Sequence, residues 1–189
     1  MRLRSEVGVV LAVALILAMP AGIAARAKTS QAAPSKRDTA KYEQWLTQHV
    51  RHELVMLPWL SVFDDLKFKV EEDRVTLMGS VVRPSLKTDA ENVVKKIEGV
   101  SQVTNKIEVL PPSPNDDRIR MAAYRAIYGE SALARYAIQA VPPIHIIVNR
   151  GHLTLKGVVA SQTDKNIAGI RAREVAGAFT VTNNLRVEK

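Results

Sequence analysis

Cysteine is absent from the 189 residues. Without a thiol there is no disulfide, no thiolate nucleophile, no cysteine-zinc site and no sulfur for an N-terminal lipid anchor. Also missing are the short patterns that carry much enzyme chemistry. There is no Gly-x-Ser-x-Gly elbow, no glycine loop to cradle phosphate and no His-Glu-x-x-His helix. Ser, Asp and His all occur, but in none of these arrangements, so neither catalysis, a cofactor nor a small-molecule substrate is expected. The histidines number four. His49 and His52 stand at i, i+3 with no carboxylate pattern to complete a ligand set, and His145 and His152 flank a turn, so no metal site is expected. One histidine should be partly buried on a helix and three should lie at the surface.

What is present is an ordinary globular composition, 47 % hydrophobic and 24 % charged, with a formal charge of +8. Arg2, Arg4, Arg26 and Glu6 lie in a segment expected to be removed, and without those three arginines and one glutamate the charge is +6. A moderately basic surface favours anionic partners in general, and compartment must choose among them.

The expected compartment comes from the first 27 residues. Arg2 and Arg4 precede an apolar stretch, strongest over residues 7–19, and Ala25-Arg26-Ala27 offers small residues where a signal peptidase reads them. That stretch is shorter than the ~20 residues that cross a bilayer, and Pro20 and Gly22 interrupt it. Residues 1–27 therefore read as a secretory signal cleaved after Ala27. An uncleaved anchor is the alternative, since residues 7–25 hold no charge. Either way the remainder is exported, which argues against nucleic acid as a partner. Residues 28–39, rich in Ser, Ala, Gln and Pro, read as a flexible spacer.

Sliding the chain against itself gives its organisation. Thr76-Leu77-x-Gly79-x-Val81 recurs 78 residues later as Thr154-Leu155-x-Gly157-x-Val159, and Val103-Thr104-Asn105 as Val181-Thr182-Asn183. Between residues 75–109 and 153–187, 11 of 35 positions are identical, against about two or three expected from composition. Two modules follow, at 40–110 and 116–189, joined by a proline-rich linker at 111–115.

Each module reads alike. Tyr42, Trp45, Leu46, His49, Val50 and Leu54 fall at helical spacing before Pro58. Residues 66–70 and 75–82 form β-rich runs separated by Glu71-Glu72-Asp73-Arg74, a hairpin. Ser85 offers an N-cap to a helix whose apolar stripe Gly99 closes, and residues 102–109 form the last strand. In the second copy Asp116 or Asp117 caps a helix reaching Tyr128, an irregular stretch follows from Gly129, and strands span 144–148 and 152–159 around Asn149-Arg150-Gly151. A helix over 164–176 and a strand over 180–187 complete it. Because a helix separates the second and third strands they can run parallel, whereas the hairpin is antiparallel. The fold class is therefore α+β: two tandem αββαβ modules, each a three-stranded mixed sheet with two helices on one face. Gly79 and Gly157, inside strands, suit a bulge or a close helix contact.

Residues 151–159, Gly-His-Leu-Thr-Leu-Lys-Gly-Val-Val, then a helix, then residues 177–187, Gly-Ala-Phe-Thr-Val-Thr-Asn-Asn-Leu-Arg-Val, form a pattern that resembles the BON-domain family, named after osmotically induced periplasmic and nodulation proteins. The second copy resembles it over about residues 116–188 and the first more loosely over about 41–110. The first hairpin departs from the family's usual Asn-Gly turn, and Gly177-Ala178 from its common Gly-Val. The resemblance implies an envelope-associated module, often paired, that binds phospholipid surfaces or client proteins and has no catalytic residues. Its motifs are structural and transfer no binding residue.

Candidate binding residues come instead from the second module's first helix and its approach to the sheet: Arg118, Arg120, Tyr124, Arg125, Tyr128, Arg135 and Tyr136. Arg120, Tyr124 and Tyr128 are spaced four apart along a stripe. Arginine with interfacial tyrosine suits an anionic bilayer. A solvated basic face with tyrosines packed over the sheet is the competing reading. Lys165, Arg171 and Arg173 form a second basic set, partly matched by Lys87, Lys95 and Lys96. Trp45 is expected in the core and Trp59, after Pro58, at the surface. The expected partner is an anionic phospholipid surface or, alternatively, an exported client protein or a larger envelope complex.

Overall fold

The computed structural model describes residues 39–139 and 142–188, so the expected signal segment and nearly all of the spacer lie outside the described residues. Eleven elements follow in order: α1 (Thr39–Val55), β1 (Asp65–Glu71), β2 (Arg74–Val81), α2 (Pro84–Lys95), β3 (Gln102–Val109), α3 (Pro114–Tyr128), α4 (Ala134–Ala137), β4 (Ile144–Asn149), β5 (His152–Val159), α5 (Gln162–Arg173) and β6 (Thr180–Val187). The expected αββαβ order occurs twice, with the short α4 added where an irregular stretch was anticipated. Each sheet is mixed, in the orders β1-β2-β3 and β4-β5-β6, the first pair antiparallel and the second parallel.

Helix periodicity and strand alternation meet on one face of each sheet. Leu46 and Val50 of α1 and Leu86, Ala90 and Val94 of α2 pack on Val75, Leu77 and Ile107. In the second module Ile119, Ala123 and Ile127 of α3 and Ala168 and Ala172 of α5 cover Ile146, Leu153, Leu155 and Leu185. The repeated asparagines join helix to sheet. The Asn105 amide donates to the Lys87 carbonyl at 2.9 Å and Asn183 to that of Lys165 at 2.7 Å, while their side-chain oxygens accept from the N–H of Ile107 and Leu185.

Several starting points differ from the sequence reading. Helix α2 begins at Pro84, with Arg83 at the N-cap position and no side-chain cap, so Ser85 lies inside its first turn. Helix α3 begins at Pro114 because the Ser113 side chain accepts from the Asp116 N–H, and the linker's last residues are helical. Helices α2 and α5 end at Lys95 and Arg173, several residues before Gly99 and Gly177, which turn the chain toward the next strand at φ of 88° and 90°. Gly79 and Gly157 serve a close backbone approach, not helix contact. At φ of 111° and 119°, a Cβ on either would lie 1.8 Å from the carbonyl oxygen of Asp65 or Pro143.

The segment between α1 and β1 serves both modules. Leu57 belongs to the first core, whereas Val62, five residues on, belongs to the second. The Val62 carbonyl accepts from the Ile146 N–H at 2.7 Å on the outer edge of β4. Phe63 packs edge-on against Tyr124 with ring centroids 6.3 Å apart.

Candidate functional site

Helix α3 is held at both ends by side chains that the chain's local chemistry dictates. Asp116 and Asp117 occupy its first turn, where the helix dipole favours them. The Asp116 carboxylate is buried and accepts from the N–H groups of Arg150 at 2.7 Å and Gly151 at 2.8 Å. It thereby fixes the β4–β5 turn, whose two central residues both have positive φ, as a tight hairpin requires.

Five of the seven candidate residues lie on α3 and divide according to which of its sides faces the sheet, while Arg135 and Tyr136 lie on α4. Ile119, Ala123 and Ile127 mark the inner side. Arg120 flanks it and is buried, donating to the Val148 carbonyl at 2.6 Å and pairing with Asp117 at 2.5 Å. Tyr128 is buried too, its hydroxyl donating to the Ile144 carbonyl at 2.6 Å. Burial pushes that hydroxyl well above the ordinary phenol range, so it stays a neutral donor. Tyr136 is buried, with its hydroxyl donating to Asp164 at 3.0 Å and accepting from the Ala160 N–H at 2.8 Å. Arg135 lies over the Tyr136 ring and pairs with Asp164 at 2.5 Å. Burial raises the Asp164 carboxyl, but hydrogen bonds from Ser161 and Tyr136 together with the Arg135 charge outweigh it and hold it below the usual range. Arg120, Tyr128 and Tyr136 are thus fold residues and present nothing to a surface. Arg120 and Tyr128 each follow an inner-face residue by one position, about 100° around the helix, from where a long side chain reaches back to the sheet.

Three candidates remain on the outward side: Arg118, Tyr124 and Arg125, all exposed. Arg118 donates to the Asn115 side chain at 2.7 Å, and neither arginine pairs with a carboxylate among the described residues. Between them Met121 is 42 % exposed. Its i+3 spacing from Arg118 and i+4 spacing to Arg125 could have marked it in the sequence. In the second basic set Arg171 pairs with Glu130 and Glu174 and Lys95 with Glu91, while Lys165, Arg173, Lys87 and Lys96 form no ion pair among the described residues. Trp59 is exposed as expected, with Arg83 over its ring.

His145 corrects the expectation of three surface histidines. It is partly buried between the modules, where desolvation lowers its pKa against the opposing pull of Asp65 and Asp64. The His49 Nδ1 donates to the Trp45 carbonyl at 2.8 Å, and His52 and His152 are exposed. Among the described residues no cluster of three or more histidine, aspartate or glutamate side chains is gathered to hold a metal, and no helix is long and apolar enough to cross a membrane.

Beside His145 runs a feature spread too widely over the sequence to be read from it. A groove of about 1000 Å³ lies between β1 with the end of α1 and the second module's sheet. Lys156 of β5 reaches across it to Asp65 at 2.8 Å, and Lys67 lies 3.2 Å from the same carboxylate. Burial raises the Asp65 carboxyl, but the two lysines more than offset this and keep it below its ordinary value.

The BON domain model matches residues 42–111 and 130–189. Osmotically-inducible protein Y of Escherichia coli (strain K12) is 29 % identical over 126 residues, 66 % of this chain and 62 % of that protein, so the chain spans less than two thirds of that relative. Among solved structures, CdsD, a structural protein of the type III secretion system of Chlamydia trachomatis, aligns over 76 % of this chain and 93 % of its own at 12 % identity and a TM-score of 0.29. The C-terminal domain of CdsD aligns over 76 % and 98 % at 14 % identity and 0.28. At such scores neither a shared arrangement nor a shared role follows.

Proposed function

Because the chain belongs to the BON domain family, we propose that it is an exported, non-enzymatic envelope protein that docks on anionic phospholipid through the outward side of α3. The observation that carries this reading is the pairing of Arg118 and Arg125, free of carboxylate partners among the described residues, with exposed Met121 and Tyr124 between them. Arginine attracts the headgroup phosphate, and the apolar side chains enter the interface that it brings within reach. Export rests on the first 27 residues, and a role in osmotic stress on the similarity to an osmotically inducible protein.

Cosedimentation of the protein with phosphatidylglycerol or phosphatidylcholine vesicles tests the reading. Binding to the first, weakening as salt rises, is expected. Each basic residue near the headgroups contributes about 1 kcal/mol, so R118E with R125E should weaken binding by about 30-fold or more. Equal binding to the two vesicle types would sink the proposal. An adaptor for exported clients, or an accessory subunit of an envelope complex, would use apolar surface away from α3.

A further inference from the structure

The two modules treat the same strand edge differently. Phe68 in β1 and Ile146 in β4 are equivalent at the offset of 78, and each stands opposite the repeated leucine, Leu77 or Leu155. In the second module the Ile146 N–H donates outward to the Val62 carbonyl, so a turn of the passing chain gives that sheet edge one backbone partner. In the first module β2 is the only strand beside β1 among the described residues, and the corresponding edge opens into the groove. An edge strand with free backbone groups is a template for one more strand.

The groove's chemistry selects what can lie there. Leu60, Leu66, Phe68 and Val70 give it an apolar wall, with Leu54 and Val55 at the end of α1. Its charged lining is Arg51, Lys67, Lys69, Lys156 and Arg186 against Asp65, which takes Lys67 and Lys156, while Lys69 pairs with Glu71 at the strand's end, so the lining keeps a net positive charge. Arg51 and Arg186 are exposed and carry no ion pair among the described residues. Successive residues of an added strand point to opposite sides. One set would meet the apolar wall and the other the cations.

We propose that the open edge of β1 receives, as an added strand, an extended segment of a partner protein in which acidic and apolar residues alternate. The bond from the Ile146 N–H to the Val62 carbonyl is a single backbone contact of this kind made within the chain. The proposal narrows the adaptor alternative to one site and does not depend on membrane docking by α3, which uses a different surface.

The test uses the full chain and a capped peptide as long as β1, seven residues, alternating glutamate and valine. Saturable binding is expected, with loss on N-methylation of alternate residues and protection of the Phe68 amide from hydrogen exchange. K69E with R186E, both at exposed positions, should weaken the peptide by about tenfold and leave vesicle binding unchanged. Equal affinity for a lysine–valine peptide, or for the N-methylated one, would overturn the proposal. So would displacement of the peptide by phosphatidylglycerol vesicles together with loss of vesicle binding in the double variant, which would make the groove a lipid site. No peptide binding with vesicle binding intact would overturn the groove assignment alone, while the converse result would remove only the membrane reading.

Discussion

Val62 lies in the sequence of the first module but in the core of the second, so its truncation should be felt across the boundary. The side chain is 9 % exposed and packs within the cluster that holds Ile144, Ile146 and Leu153. V62A removes two methyl groups. At ~0.8 kcal/mol per buried carbon this is about 1.6 kcal/mol, and the cavity left behind brings the total to about 2 kcal/mol. Native-state amide hydrogen exchange reads the loss strand by strand. Protection should fall in β4 and β5 and remain in β1 and β2. L57A is the control from the same connecting segment, since Leu57 is buried in the first core, and it should produce the opposite pattern. Loss confined to β1 and β2 in V62A, or equal loss in both sheets for both variants, would refute the assignment of these two residues to separate cores.

G157A should cost more than about 3 kcal/mol in urea unfolding, because a side chain there meets the Pro143 carbonyl oxygen and the backbone φ is positive. An unchanged midpoint would contradict that geometry. R120A should destabilise by about 1–3 kcal/mol, leaving the Val148 carbonyl without its buried donor, yet preserve vesicle affinity. R125A should do the reverse, and the two are separated by denaturation and cosedimentation of the same samples. His145 has a lowered folded pKa, so the stability it contributes is present above the ordinary imidazole range and is lost as pH falls through its folded value. H145Q should flatten that part of the stability profile between about pH 7 and 5, and an unaltered slope would refute the role.

The fold was legible because two independent periodicities agreed. The offset of 78 gave the module, strand alternation and helix spacing gave its elements, and the bounds of β3, β5 and β6 coincide with the expected ones. Helix starts were less legible because Ser113 and Pro114 resemble linker residues until the Asp116 N–H is seen on the serine. The burial of Arg120 and Tyr128 within the stripe is hidden in the sequence for a related reason. Arginine and tyrosine read as surface residues, but their long side chains let Arg120 and Tyr128 reach strand carbonyls from the flanks of α3. The inner face marked by Ile119, Ala123 and Ile127 carried enough signal to place Arg120 beside it. The groove carried no such signal, since Asp65 and Lys156 are 91 residues apart and meet only through the packing of one module on the other.

The open and closed edges follow from tandem duplication itself. Each copy has a connecting segment ahead of its hairpin, and in the first copy that segment is long enough to leave its own core at Leu57 and enter the next at Val62. There the Val62 carbonyl gives the outer edge of β4 a backbone partner at Ile146. Among the described residues the outer edge of β1 has none. Sequence change since duplication has set different chemistry on the two sides. Leu86 fills the position where Asp164 anchors Ser161, Tyr136 and Arg135, which spends the second module's polar side chains on its own interior. The first module's Lys67 and Lys69 stay exposed along the open edge, paired with Asp65 and Glu71 of the same strand. Charge on an exposed edge strand opposes indiscriminate pairing with another copy of itself. It does not oppose an acidic strand, so the same lysines that guard β1 against self-association also define what it can accept.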